Sequence, residues 1–173
     1  MNMAGVHLHH GGAGLGAIGM VISFHVAAMY LPGPLVGHLA DRYGPRRLLG
    51  LGLSLQLAAA VTLQLGDGPG VVGAGLTLLG LGWSAGFLGG TMLLTEALPE
   101  RSRTAGQGAS DFVVQLSAAA GALGAGTVVS LLGYAGLCAI AGCVLLAVLA
   151  WVRVSGRRET APLAGPLRDL AAR

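Results

Sequence analysis

Apolar residues in this chain come in long runs, over 15–36, 48–65, 71–94, 108–131 and 137–152, separated by short polar breaks. A helix needs about 20 residues to cross the roughly 30 Å hydrocarbon core of a bilayer, and the runs are of that order. They predict an all-α fold, a polytopic transmembrane helix bundle of about five spans. Strands of a membrane barrel would alternate over about ten residues at a time, which these runs do not. The breaks read GHLADRYGPRR, GDGPG, EALPERSRTAGQ and LGYAG. Residues 1–14 are expected to be an extracytoplasmic stretch, and 153–173 a polar, proline-containing cytoplasmic tail with little fixed structure.

Composition supports the same class. Of 173 residues, 54% are hydrophobic and only 10% charged, against about 25% charged in a soluble domain. Mean hydropathy is +0.74. All basic residues are arginine, which reflects codon bias, and the net charge of +3 is too small and scattered for nucleic-acid binding. Cys138 and Cys143 sit five apart in an apolar run and are expected to be small buried residues, not a disulfide or metal pair. The start, MNMAGVHLHHGG, has no basic region and no continuous apolar core, so it is not expected to be a signal peptide. Its His7, His9 and His10 invite a metal reading, but the sequence shows no scaffold or nearby carboxylate for them. No metal and no cofactor is expected.

Arginines alternate by connection. Arg42, Arg46 and Arg47 fall in the first break, Arg101 and Arg103 in the third, and Arg153, Arg157 and Arg158 after the last run. The second and fourth breaks hold none. By the positive-inside rule, the N-terminus lies outside and the C-terminus in the cytoplasm. An odd number of spans from an outside start suggests that a first helix precedes these five, with 1–10 as its outer end.

GHLADRYGPRR resembles the loop motif of the major facilitator superfamily: Gly, three residues, Asp, a base, any residue, Gly, then bases. Gly37, Asp41, Arg42, Gly44 and Arg46 match, while Pro45 stands where the family usually has a base. Glu96 and Arg103 fit a second family pattern, Glu, six residues, Arg, at the cytoplasmic end of a half's fourth helix. The stretch GLGWSAGFLGGTMLLTEALP, followed by QGASD, is similar to the second half of bacterial members. The chain thus resembles the C-terminal half of such a transporter, up to about residue 154. The resemblance implies a multi-pass protein of the bacterial plasma membrane, embedded in the lipid bilayer. It would move a small solute, with proton coupling one option, by secondary active or facilitative alternating access. Its partner would be an N-terminal six-helix half. The alternative is a non-transporting membrane subunit that binds a separate N-terminal half.

The charged motifs suit such a role. Asp41 is placed to face the positive end of a neighbouring helix, and Arg46 and Arg103 to pair with Asp41 and Glu96. Such pairs would latch one bundle to another in one state and break in the other. Gly37 and Gly44 would allow close approach and turning. Arg42 and Arg47 also read as positive-inside anchors.

Inside the runs an ionisable group needs a reason, because it costs about 2.5–3.5 kcal/mol at a helix centre. Two stand out, His25 and Asp111. Imidazoles titrate near neutrality, so His25 is a candidate for proton coupling; the plainer reading is a neutral ring hydrogen-bonded to a neighbouring helix. Gln107 and Gln115 are four residues either side of Asp111, so the three share a helix face. They are candidates for a proton or substrate site, or for a structural hydrogen bond. Gly82, Gly86 and Gly90, and Gly121, Ala122, Ala125 and Gly126, form small-residue stripes that permit close crossings. Pro32 and Pro34 should interrupt the first helix. A membrane-embedded enzyme would need a nucleophile, base or metal ligands gathered at one depth. No such group converges, and there is no phosphate-binding loop, so catalysis is not expected.

Overall fold

The computed structural model describes the backbone of residues 2–159 and the side chains of 3–154. The tail from 160 to 173 lies outside the described residues. Among them, all regular structure is helical: α1 Asn2–His10, α2 Leu15–Tyr30, α3 Gly33–Tyr43, α4 Pro45–Thr62, α5 Pro69–Ala97, a 3-10 turn Glu100–Ser102, and α6 Arg103–Glu159.

Prolines sit where the helical hydrogen-bond ladder can spare an N–H. Pro45 and Pro69 open α4 and α5, a position where the missing donor has no intrahelical partner anyway. Pro32 caps α3 and Pro34 lies in its first turn. The interruption expected in the first run is therefore present: α2 stops at Tyr30, with the Leu31 amide donating to the Ala27 carbonyl at 2.8 Å.

Among the described residues, three stretches are long and apolar enough to cross a membrane by length and composition: Leu15–Tyr43, Pro69–Ala97 and Glu100–Val154. The last, at 55 residues, would be about 80 Å long as one helix, far beyond a single crossing. It breaks at Gly133, whose φ of 71° and ψ of 177° are not helical. Contacts show that the chain turns back there. The start of α6 lies by Leu98, Tyr134 stacks on His7 in α1, and Arg153 shares a groove with Arg46 and Glu96.

The centre of the bundle is the α4–α5 pair. In lipid there is no hydrophobic force between helices, and close packing of small residues holds them. A Cβ on Gly52 would come within 2.6 Å of the Gly86 Cα and 2.7 Å of the Gly82 carbonyl; one on Gly89 would come within 2.7 Å of the Leu49 amide. Only glycines let these backbones lie so close. The expected stripe thus runs through Gly82, Gly86 and Gly89; a Cβ on Gly90 would meet nothing within 4 Å. Along a helix i, i+4 and i+7 stay on one face, whereas i+8 drifts about 80° away. The second stripe packs against nothing described: a Cβ on Gly121 or Gly126 would meet open space.

Two buried clusters flank this pair. At one end Ala4, Leu8, Val21, Leu63, Val72, Leu76 and Cys138 pack together. At the other are Val36, Ala40, Leu48 and Ala85. Cys138 is buried as expected, but Cys143 is exposed, because it lies on the outward side of α6.

Candidate functional site

The charged turn joins α3 to α4. Asp41 and Arg42 occupy the last turn of α3 and are exposed. Gly44 follows, with φ 85° and ψ 154°, a combination almost restricted to glycine. Its amide donates to the Ala40 carbonyl at 2.8 Å, and its carbonyl accepts from the Leu48 amide at 3.2 Å. Gly44 thus ends one helix and starts the next, and Pro45 is the first residue of α4. Gly37 meets nothing: a Cβ there has open space within 4 Å.

Arg46, Arg47, Glu96 and Arg153 line an open groove of ≈ 960 Å³, with Tyr43, Leu51, Leu93 and Val152 among its walls. The fold therefore gathers parts of both charged motifs and the end of α6 at one end of the bundle. Arg103 sits apart from this groove. The Arg103 Nε–H instead donates to the Leu98 carbonyl at 3.4 Å, beside the end of α5, where a positive charge meets the negative end of the helix dipole.

His25 is buried on α2, and its Nδ1 lies 2.6 Å from the Leu76 carbonyl of α5. A carbonyl only accepts, so Nδ1 carries the proton in this bond. The helices touch closely here: a Cβ on Gly80 would fall 2.6 Å from the His25 carbonyl oxygen. The ring thus ties α2 to α5.

Asp111 is exposed, and its Oδ1 accepts a 3.0 Å hydrogen bond from Gln107 Nε2. Gln115 does not join that bond, and it too is exposed. The oxygen of the same Gln107 amide, Oε1, is buried without a partner among the described residues. Phe112, Leu116 and Leu123 are also exposed, so this half of α6 presents an apolar face, with the Asp111 carboxylate, that no other helix among the described residues covers.

Two arrangements were not foreseen. One is an aromatic ladder: Trp83 stacks on Phe87 at 4.8 Å, and Tyr30 meets Trp83 edge-on at 6.0 Å. The four-residue spacing of Trp83 and Phe87 on a helix was the available signal. The other is a clasp at the opposite end of the bundle from the groove. His7 Nε2 lies 3.0 Å from Asp67 Oδ1, and the same ring stacks on Tyr134 at 4.3 Å. His7 thus has both a helical scaffold and a carboxylate, contrary to the sequence expectation. Even so, no group of metal-holding side chains forms among the described residues.

The family profile described as Major Facilitator Superfamily matches residues 3–171. The chain is 37% identical over 158 residues to the uncharacterized MFS-type transporter YdeG of Bacillus subtilis (strain 168), which covers 88% of this chain and 37% of that protein. It is 39% identical over 157 residues to the uncharacterized MFS-type transporter YddS of the same organism, covering 86% of this chain and 34% of that one. It is 36% identical over 93 residues, 54% of the chain and 23% of the relative, to the riboflavin transporter RfnT of Brucella anthropi. The chain thus spans about a third of the length of the first two relatives. No solved structure matches significantly.

Proposed function

This chain belongs to the Major Facilitator Superfamily, and on that premise we propose that it is the C-terminal, five-crossing part of a carrier that moves a small solute by alternating access. The crossings are 15–43, 45–62, 69–97, 103–132 and 134–159. The arginine-bearing ends face the cytoplasm.

The observation that carries this reading is the α3–Gly44–α4 turn. A stiff glycine-only corner presents Asp41 and Arg42 outward, and the second motif's Glu96 lies by the same groove as Arg46. Exposed charges on such a corner suit a latch to a second bundle. That bundle would be an N-terminal six-helix half, in the same polypeptide or a separate chain. Asp111 supports it: a carboxylate left to lipid costs about 2.5–3.5 kcal/mol, so its face belongs against protein or water.

The Trp83–Phe87 stack offers a surface for a flat ring, and one relative is named a riboflavin transporter. Riboflavin is therefore the first solute to try. The test uses proteoliposomes of the full-length polypeptide with a panel of labelled solutes, comparing wild type with Asp41→Asn. Solute uptake that falls about tenfold at equal incorporation supports the latch, since one lost charged contact is worth about that factor. Unchanged uptake in the variant overturns it.

A further inference from the structure

We propose that the groove between the start of α4 and the end of α6 holds the phosphate headgroup of an anionic phospholipid. The inference rests on the reading above only in placing this end of the bundle at the membrane surface.

The groove has the right charge. Among the described residues, Arg46, Arg47 and Arg153 line it with one carboxylate, Glu96. Arg47 and Arg153 are exposed, and neither is in an ion pair among the described residues. They come from two helices, so their forked donors can approach one phosphate from different sides. The Ser54 hydroxyl also lines the groove, but it donates to the Gly50 carbonyl at 2.8 Å. Recognition therefore falls to the guanidinium groups. Basic pockets between membrane helices on the cytoplasmic side suit anionic headgroups.

The groove also has walls for acyl chains. Leu51, Leu93 and Val152 line it, and Leu51 is 45% exposed. Tyr43 and Trp151, both exposed, stand at the same end. Such amphipathic rings settle at the level of lipid headgroups. A free phosphate would use the arginines but leave the apolar walls unused, so the lipid is the better occupant.

The test is native mass spectrometry of the full-length polypeptide in detergent, titrated with phosphatidylglycerol, with phosphatidylcholine, and with inorganic phosphate as competitor. Phosphatidylglycerol should be retained over phosphatidylcholine. Arg47→Gln with Arg153→Gln should lower that retention about thirtyfold, since each of the two basic residues contributes about 1 kcal/mol towards an anionic lipid. The double Lys variant should keep most of it. Arg101→Gln, at the same end but outside the groove, should change nothing. Equal retention of both lipids, no loss in the double Gln variant, or an equal loss in Arg101→Gln would overturn the proposal. Displacement of phosphatidylglycerol by millimolar phosphate would make the groove a free-anion site and overturn the lipid assignment. None of these outcomes depends on transport, so a failure here leaves the transport reading untouched.

Discussion

His7 and Asp67 are 60 residues apart in sequence and 3.0 Å apart in space. The contact ties α1 to the loop between α4 and α5, and the stacking of His7 on Tyr134 brings in α6 just past its break. The pair is wet, with the Asp67 side chain 81% exposed, so it contributes no more than about 1 kcal/mol. Asp67→Asn should barely move the melting temperature in detergent. Tyr134→Ala should lower it clearly, because it removes the stacked ring and the packing beneath it. Hydrogen exchange over 2–10 reports the same ranking: faster in the Tyr134 variant, near wild type in the Asp67 variant.

Gly44 and Gly133 share a backbone conformation, with φ of 85° and 71° and ψ of 154° and 177°. Any side chain there is strained by about 1–3 kcal/mol. Gly44→Ala and Gly133→Ala should each destabilise by that amount in thermal melts, although a Cβ at either site meets no neighbour. Gly37→Ala is the control. It lies in the same motif but inside a helix, and it should be neutral or slightly stabilising.

Gly52 faces backbone on α5, which cannot rotate out of the way as a side chain can. Gly52→Val should cost at least the upper part of the usual 1–3 kcal/mol for overpacking, seen as a loss of folded, monodisperse protein on size exclusion. Gly90→Val, on the same helix as Gly82 but pointing into open space, should be tolerated.

His25→Ala removes the bond to the Leu76 carbonyl and leaves a gap between α2 and α5. The expected loss is about 1–3 kcal/mol, read as a lower melting temperature. A melting temperature equal to wild type would show that the bond does not hold these helices together.

Much of the architecture was legible in the sequence because bilayer thickness and backbone chemistry write directly into it. The apolar runs gave helices, Pro32 and Pro34 marked the interruption at Tyr30, and Gly44 marked the turn. What a single strand of text cannot show is which faces meet. Gly52 is one glycine among many until α5 lies against it. Asp67 reads as an ordinary turn residue until α1 brings His7 to it. Cys143 shares an apolar run with Cys138 but falls on the other side of the helix. The Gly121–Gly126 stripe looked like the one on α5, yet a Cβ on either glycine meets nothing among the described residues. Of the candidate site, the residues of the charged turn are neighbours in sequence, but their gathering with Arg153 needed the return of α6.

The central claim is that the chain crosses the membrane five times, with Gly133 dividing α6 into two crossings and the arginine ends inside. Its direct test is labelling of single cysteines in intact cells by a membrane-impermeant maleimide, in a background with Cys138 and Cys143 replaced by alanine. Cysteines at 67 and 133 should be labelled in intact cells, and those at 42, 101 and 153 only after permeabilisation. Labelling of 133 from the same side as 101 or 153 would contradict the account.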